Sequence, residues 1–171
     1  MSNVSQFIGS GWVPLETIEV TSAVTTVDFD SNIDDTFNNY VVTGTHTLSA
    51  VVSINCQLKT GDPSAIINTN YRVLSTSPGA TSSSTNINRT NAIITAYSGS
   101  FIAYFMNLRS SDAFKSIVSQ GTGYFSNGFM YALGYTNALL DASIINGIQI
   151  SVSSGDINTG SKFTLYGIKE L

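Results

Sequence analysis

Charge is what this 171-residue chain has least of. Asp, Glu, Lys and Arg make up 11% of it, against about 25% in an ordinary soluble domain. Ser, Thr, Asn and Gly fill the gap, so hydroxyls and amides must do the work of facing water. Helices normally present Glu, Lys and Arg on their wet side, so the shortage argues against helices and for turns and half-buried strands. The seven Lys and Arg are scattered from Lys59 to Lys169. No cationic cluster exists to displace counterions, which excludes a nucleic-acid partner. The net charge of -4 and pI near 4.6 disfavour anionic membranes. One cysteine, Cys56, allows no intrachain disulfide and fits folding in a reducing cytoplasm. No apolar run approaches the 18 or so residues of a membrane span. Met1 to Gly11 carries neither a basic nor an apolar segment, so no secretory signal is expected.

What is present is period-two alternation. Val13 to Val20 alternates, as does Ala23 to Phe29 with Val24, Val27 and Phe29 as anchors. Asp28 to Asp35 reads as a loop or a single helical turn. Tyr40–Thr45 and Ala50–Lys59 read as two strands, the second with Val52, Ile54, Cys56 and Leu58 on one face. A Thr60-Gly61-Asp62-Pro63 turn follows. Asn70 to Leu74 is a strand with Tyr71 and Val73 on one face. Ser75 to Asn88 is almost wholly polar and is expected to form a long exposed loop. Ala92–Tyr97 and Ser100–Leu108 read as a hairpin around Ser98-Gly99. In its second arm Phe101, Ala103 and Phe105 share one face, while Ile102, Tyr104, Met106 and Leu108 share the other. Both faces are apolar, so this strand should be central and covered on each side. Lys115–Gln120, Ser143–Val152 and Lys162–Lys169 complete the strands, with Ser153–Thr159 as a turn. Short strands at roughly ten-residue spacing imply one antiparallel all-β sandwich or barrel over residues 12–171, preceded by an arm over residues 1–11.

Chemistry-bearing residues are few. His46 is the only histidine, and its Gly44-Thr45-His46-Thr47 setting suggests a surface position beside a turn. Asp28, Asp30 and Asn32 begin like a calcium loop, but the sixth and twelfth places hold Ile33 and Asn39 rather than Gly and Glu. The expected reading is a solvated acidic loop, with no metal and no cofactor. No nucleophile elbow, phosphate loop or dinucleotide fingerprint occurs. Tyr124, Phe125, Phe129, Tyr131 and Tyr135 lie in a Gly-rich stretch from Gly121 to Gly134. They are candidates for an interface or a glycan contact, although aromatics at such spacing mostly fill cores. Asn3-Val4-Ser5 and Asn88-Arg89-Thr90 are formal glycosylation sequons that mean nothing without a signal peptide.

Three segments resemble small tailed-phage virion proteins. Trp12 is an aromatic lead-in followed by Val27-Asp28-Phe29. Thr36-Phe37-Asn38-Asn39-Tyr40-Val41-Val42 is similar to the strand entry of such modules. The closing run from Gly160 through Leu165-Tyr166-Gly167-Ile168 to Lys169 is the most specific match. The resemblance spans Trp12 to Lys169 but departs at Leu58-Lys59-Thr60-Gly61, where a more charged strand is usual. It implies a jelly-roll sandwich that assembles with itself, often as a trimer, in the virion. Its role there would be capsid decoration, head fibre or tail fibre, next to other capsid or tail proteins and a host surface. A lectin-like module is the alternative. A glycan hydrolase would need two carboxylates converging about 5–9 Å apart. Within the closing strand Leu165 should enter the core. Gly167, on the same face, should leave room for a bulky neighbour on the facing sheet. Tyr166 and Ile168 lie on the opposite face, where a subunit contact is expected.

Overall fold

Alternation turns into antiparallel ladders along nearly the whole chain. A computed structural model describes residues 11–61, 65–67, 71–77, 80–87, 94–124 and 130–169. These residues form eleven strands and no helix. They are β1 (Trp12–Glu19), β2 (Thr26–Phe29), β3 (Asn39–Thr60), β4 (Ala65–Ile66), β5 (Tyr71–Ser77), β6 (Ala80–Ile87), β7 (Ile94–Met106), β8 (Lys115–Tyr124), β9 (Met130–Leu139), β10 (Gly147–Val152) and β11 (Lys162–Ile168). The main sheet runs β1-β11-β3-β7-β8-β9-β5-β6, and β10 joins β3 to β2. The two sequons lie outside the described residues.

β3 is the spine, and it corrects the expectation of two separate strands. Its first half pairs with β11 and β7, and its second half with β10. The register slips between Thr47 and Val52, where Leu48 bridges to Ile157. An irregularity of this kind bends a strand without ending it, so one strand serves two parts of the sheet. Tyr40, Val42, Leu48, Ile54, Cys56 and Leu58 of β3 are all sealed in one core cluster. Phe29, Phe105, Ile148, Ile150, Phe163 and Leu165 from four other strands join them. The result is an antiparallel, sandwich-like all-β fold, and a jelly roll is compatible with it.

Two further expectations are overturned. Ser98-Gly99 is no turn, because β7 runs unbroken through it. Gly99 is there because β8 passes so close that a Cβ would sit 2.1 Å from the Thr122 carbonyl oxygen. The described parts of the expected Ser75–Asn88 loop are strand, because Ser75, Thr76 and Ser77 of β5 pair with Ser82, Thr81 and Ala80 of β6. A strand at the end of a sheet can be wholly polar, since the ladder satisfies its backbone and no core face is required of it.

The closing strand behaves as expected. Phe163 and Leu165 are buried, and a Cβ on Gly167 would strike the Phe37 ring at 2.4 Å. The bulky neighbour is there as expected, but it comes from the segment before β3 and not from a facing sheet. That segment is tied down by the Tyr40 hydroxyl, which accepts from the Asp34 N–H (3.0 Å) and donates to the Asp34 carbonyl (2.8 Å). Burial pushes the Tyr40 phenol up to about 12. The simple alternation expected in β1 is broken by a bulge at Leu15. Beyond it Glu16 and Ile18 stand opposite Leu165 and Phe163, while Thr17 and Glu19 turn outward. Pro14 is tolerated because β1 is an edge strand.

Candidate functional site

The sequence-level candidates for chemistry are already engaged inside the fold. His46 is not on the surface. It is 4% exposed, on the core side of β3, with its ring centroid 6.2 Å from that of Phe101, and neither ring nitrogen has a hydrogen-bond partner among the described residues. Burial lowers its pKa to about 4, so it is neutral at pH 7. The turn expected beside it does not exist: β3 continues, and strand parity sends residue 46 inward with Val42 and Gly44.

The acidic run does receive a cation, but the cation is an ammonium. Lys59 Nζ lies 2.6 Å from Asp28 and 2.9 Å from both oxygens of Asp30. Gln149 donates to Asp28 (2.8 Å). Desolvation works against the Lys59 charge, yet the hydrogen bonds to Asp28 and Asp30 together outweigh it and raise the pKa. Asp34 caps its own turn through the Thr36 N–H (2.9 Å), which holds its carboxyl below the usual range. Asp35 pairs with Arg109 at 2.5 Å. Among the described residues no group of three or more His, Cys, Asp or Glu gathers into a metal-binding cluster.

Lys115 was not anticipated. It is fully buried, and its ammonium donates to the carbonyls of Ser110 (2.5 Å) and Ala113 (2.9 Å). Burial lowers its pKa, with Asp141 opposing. The signal was available in parity, since Lys115 shares the inward phase of Ile117 and Ser119.

The aromatic candidates divide between two faces. Tyr124 is 43% exposed and sits opposite Met130, itself 74% exposed. Tyr135 is half-buried and stands opposite Ser119, whose side chain is sealed. Tyr131 takes its place in β9 opposite Gly123. Phe125 and Phe129 lie outside the described residues. Tyr166 is half-buried, its ring 5.7 Å from Trp12.

Tyr124 and Tyr166 belong to one large surface, the outer side of β1-β11-β3-β7-β8-β9. The registers align its side chains in rows. One row reads Pro14, Tyr166, Val41, Tyr104, Val118 and Thr136. The row beyond it holds Trp12, Ile168, Met106 and Ser116. The next row in the other direction reads Thr17, Thr164, Thr43, Ile102, Gln120 and Gly134. Glu19, Lys162, Thr45, Ser100, Thr122 and Ala132 follow. The only charges in these four rows are Glu19 and Lys162, cross-strand neighbours at one corner.

Relief on this face comes from two features. Trp12 lies across the sheet with its ring 5.9 Å from Tyr104, edge-on. Together with Tyr166 it roofs Val41, which is fully buried although it faces outward. The three rings form a ridge. Beside it is an open hollow of about 590 Å³ lined by Ser100, Ile102, Gln120, Thr122, Ala132 and Gly134. The expectation that β7 is covered on both sides holds for one side only. Phe101, Ala103 and Phe105 are sealed, whereas Ile102, Tyr104 and Met106 are only partly buried. No family model matches the chain. No curated protein matches it either.

Proposed function

We propose that this chain is a non-enzymatic structural component of a tailed-phage particle, a capsid-decoration, head-fibre or tail-fibre part, that assembles with copies of itself. The observation that carries the reading is the outer sheet face: broad, nearly free of charge, rich in aromatics, and not covered by any second layer of the described chain. Depletion of charge together with enrichment of aromatic rings is what distinguishes contact surfaces from the rest of a protein's exterior. The closing-strand resemblance at Leu165-Tyr166-Gly167-Ile168 supplies the class of particle. The arrangement of polar groups agrees with it, because the one histidine is sealed in the core and Asp28, Asp30 and Asp35 neutralise Lys59 and Arg109. Mass spectrometry of purified particles should find the chain, and light scattering at micromolar concentration should find an oligomer. A monomer that is absent from particles removes the reading.

A second reading, a glycan-binding module, draws on the hollow beside Trp12, Tyr104 and Tyr166, since sugar rings stack on aromatic faces. Binding on a glycan array, with or without calcium, is its expected result. An empty array in both conditions removes it.

A further inference from the structure

The geometry points to a specific self-contact: two copies of this chain pack outer face to outer face about a two-fold axis, the Trp12–Tyr104–Tyr166 ridge of each entering the hollow of the other. The inference rests on the reading that the chain assembles with itself, and adds where it does so and with which symmetry.

Three observations identify a second copy as the occupant. The first is charge. The chain carries a net charge of -4, so copies repel in most orientations. The outer face is where they can approach without opposing like charges. The second is size. Six strands about 4.8 Å apart and four rows of side chains about 6.8 Å apart span roughly 24 by 20 Å of backbone. With the flanking side chains this approaches the ~800 Å² per partner of a standard stable interface. The third is relief. Ridge and hollow lie on the same face, displaced from one another both across the strands and along them: Trp12 and Tyr166 are on β1 and β11, Gln120, Thr122 and Ala132 on β8 and β9, and the two meet on β7, which carries Tyr104 of the ridge and Ser100 and Ile102 of the hollow. Turning one copy by half a revolution about an axis near Thr43 sets each ridge over the other copy's hollow. A ring of three requires its two mating patches to face different directions. Two patches facing the same way mate only face to face, which is an isologous two-fold contact.

The chemistry fits. The ridge offers aromatic edges and a phenol, the hollow offers an Ile102 floor with hydroxyls and one amide, and neither side brings an unpaired charge into the contact.

The test is multi-angle light scattering from 1 to 100 µM on the full chain and three variants. Gln120→Arg places a bulky charge in the hollow at an exposed position, so folding is spared. Trp12→Ala removes the ridge. Ser154→Arg is a control on an exposed loop away from the face. The expected result is a native mass twice the 18.2 kDa chain. Gln120→Arg and Trp12→Ala should each dissociate at least tenfold more readily, and Ser154→Arg should match the native chain. A native trimer, or a dimer untouched by Gln120→Arg, overturns the two-fold contact and leaves self-assembly standing. A native monomer throughout overturns both.

Discussion

Single residues in this chain are decided by what stands across from them. His46 is the clearest case. Burial lowers its folded-state pKa to about 4, below the ordinary histidine value of 6.5, so the native state favours the neutral ring. The unfolded chain takes up a proton below about pH 6.5, and the native chain does not until near pH 4. The stability tied to His46 is therefore complete above pH 6.5 and is lost as pH falls toward 4, by about 3 kcal/mol in all. Urea midpoints at pH 7 and pH 4.5 should differ markedly in the native protein, and His46→Leu should remove most of that difference. Gly167 is the second case. Gly167→Ala drives a methyl into the Phe37 ring and should cost about 1–3 kcal/mol, read as a lower midpoint in denaturant. Phe37→Leu in the same chain should restore part of the loss, because a smaller neighbour vacates the space.

Among the elements, β3 and β7 carry the fold. Each was expected as two strands and each is one. Ser98-Gly99 resembles a turn dipeptide, and nothing local distinguishes a glycine needed for positive φ from one needed for close approach. Gly99→Asn separates the two, because Asn accepts a positive φ and would be tolerated in a turn. Here it pushes β7 away from the rigid Thr122 carbonyl and should lower stability by about 1–3 kcal/mol, with faster amide exchange along both strands. Of the β5–β6 hairpin only Tyr71 to Leu74 was legible; from Ser75 onward the pattern has almost no apolar alternation from which a strand could be read. By contrast, β11 was read nearly residue for residue, because Phe163 and Leu165 mark one face, whereas β10 begins at Gly147, four residues later than the expected start at Ser143, and Ile145 is buried from the segment before it.

At the scale of the whole molecule, polar groups are kept in the interior only where something answers them, with three exceptions. Lys59 has its carboxylates and Lys115 its carbonyls. His46, Asn55 and Asn137 each bury at least one polar side-chain atom with no partner among the described residues. Outside, the order is reversed. The face that ordinary domains cover with charge is left to Thr, Ser and aromatic rings. The shape of that face was not foreseeable: Trp12 and Tyr104 stand 92 positions apart and meet only because β11 and β3 lie between their strands.

The sequence alone determined the all-β character, the antiparallel alternation and most of the inward-facing residues, because these depend on side chains two apart on one strand. It also determined how little chemistry is on hand, since one histidine and one cysteine cannot be rearranged into more. Only the tertiary structure decided that His46 is inside, that Asp28 and Asp30 hold Lys59, that Gly99 and Gly167 make room for remote neighbours, and that ridge and hollow share one open face. Each of these depends on which strands become neighbours, and pairing joins residues whose separation along the chain leaves no local trace.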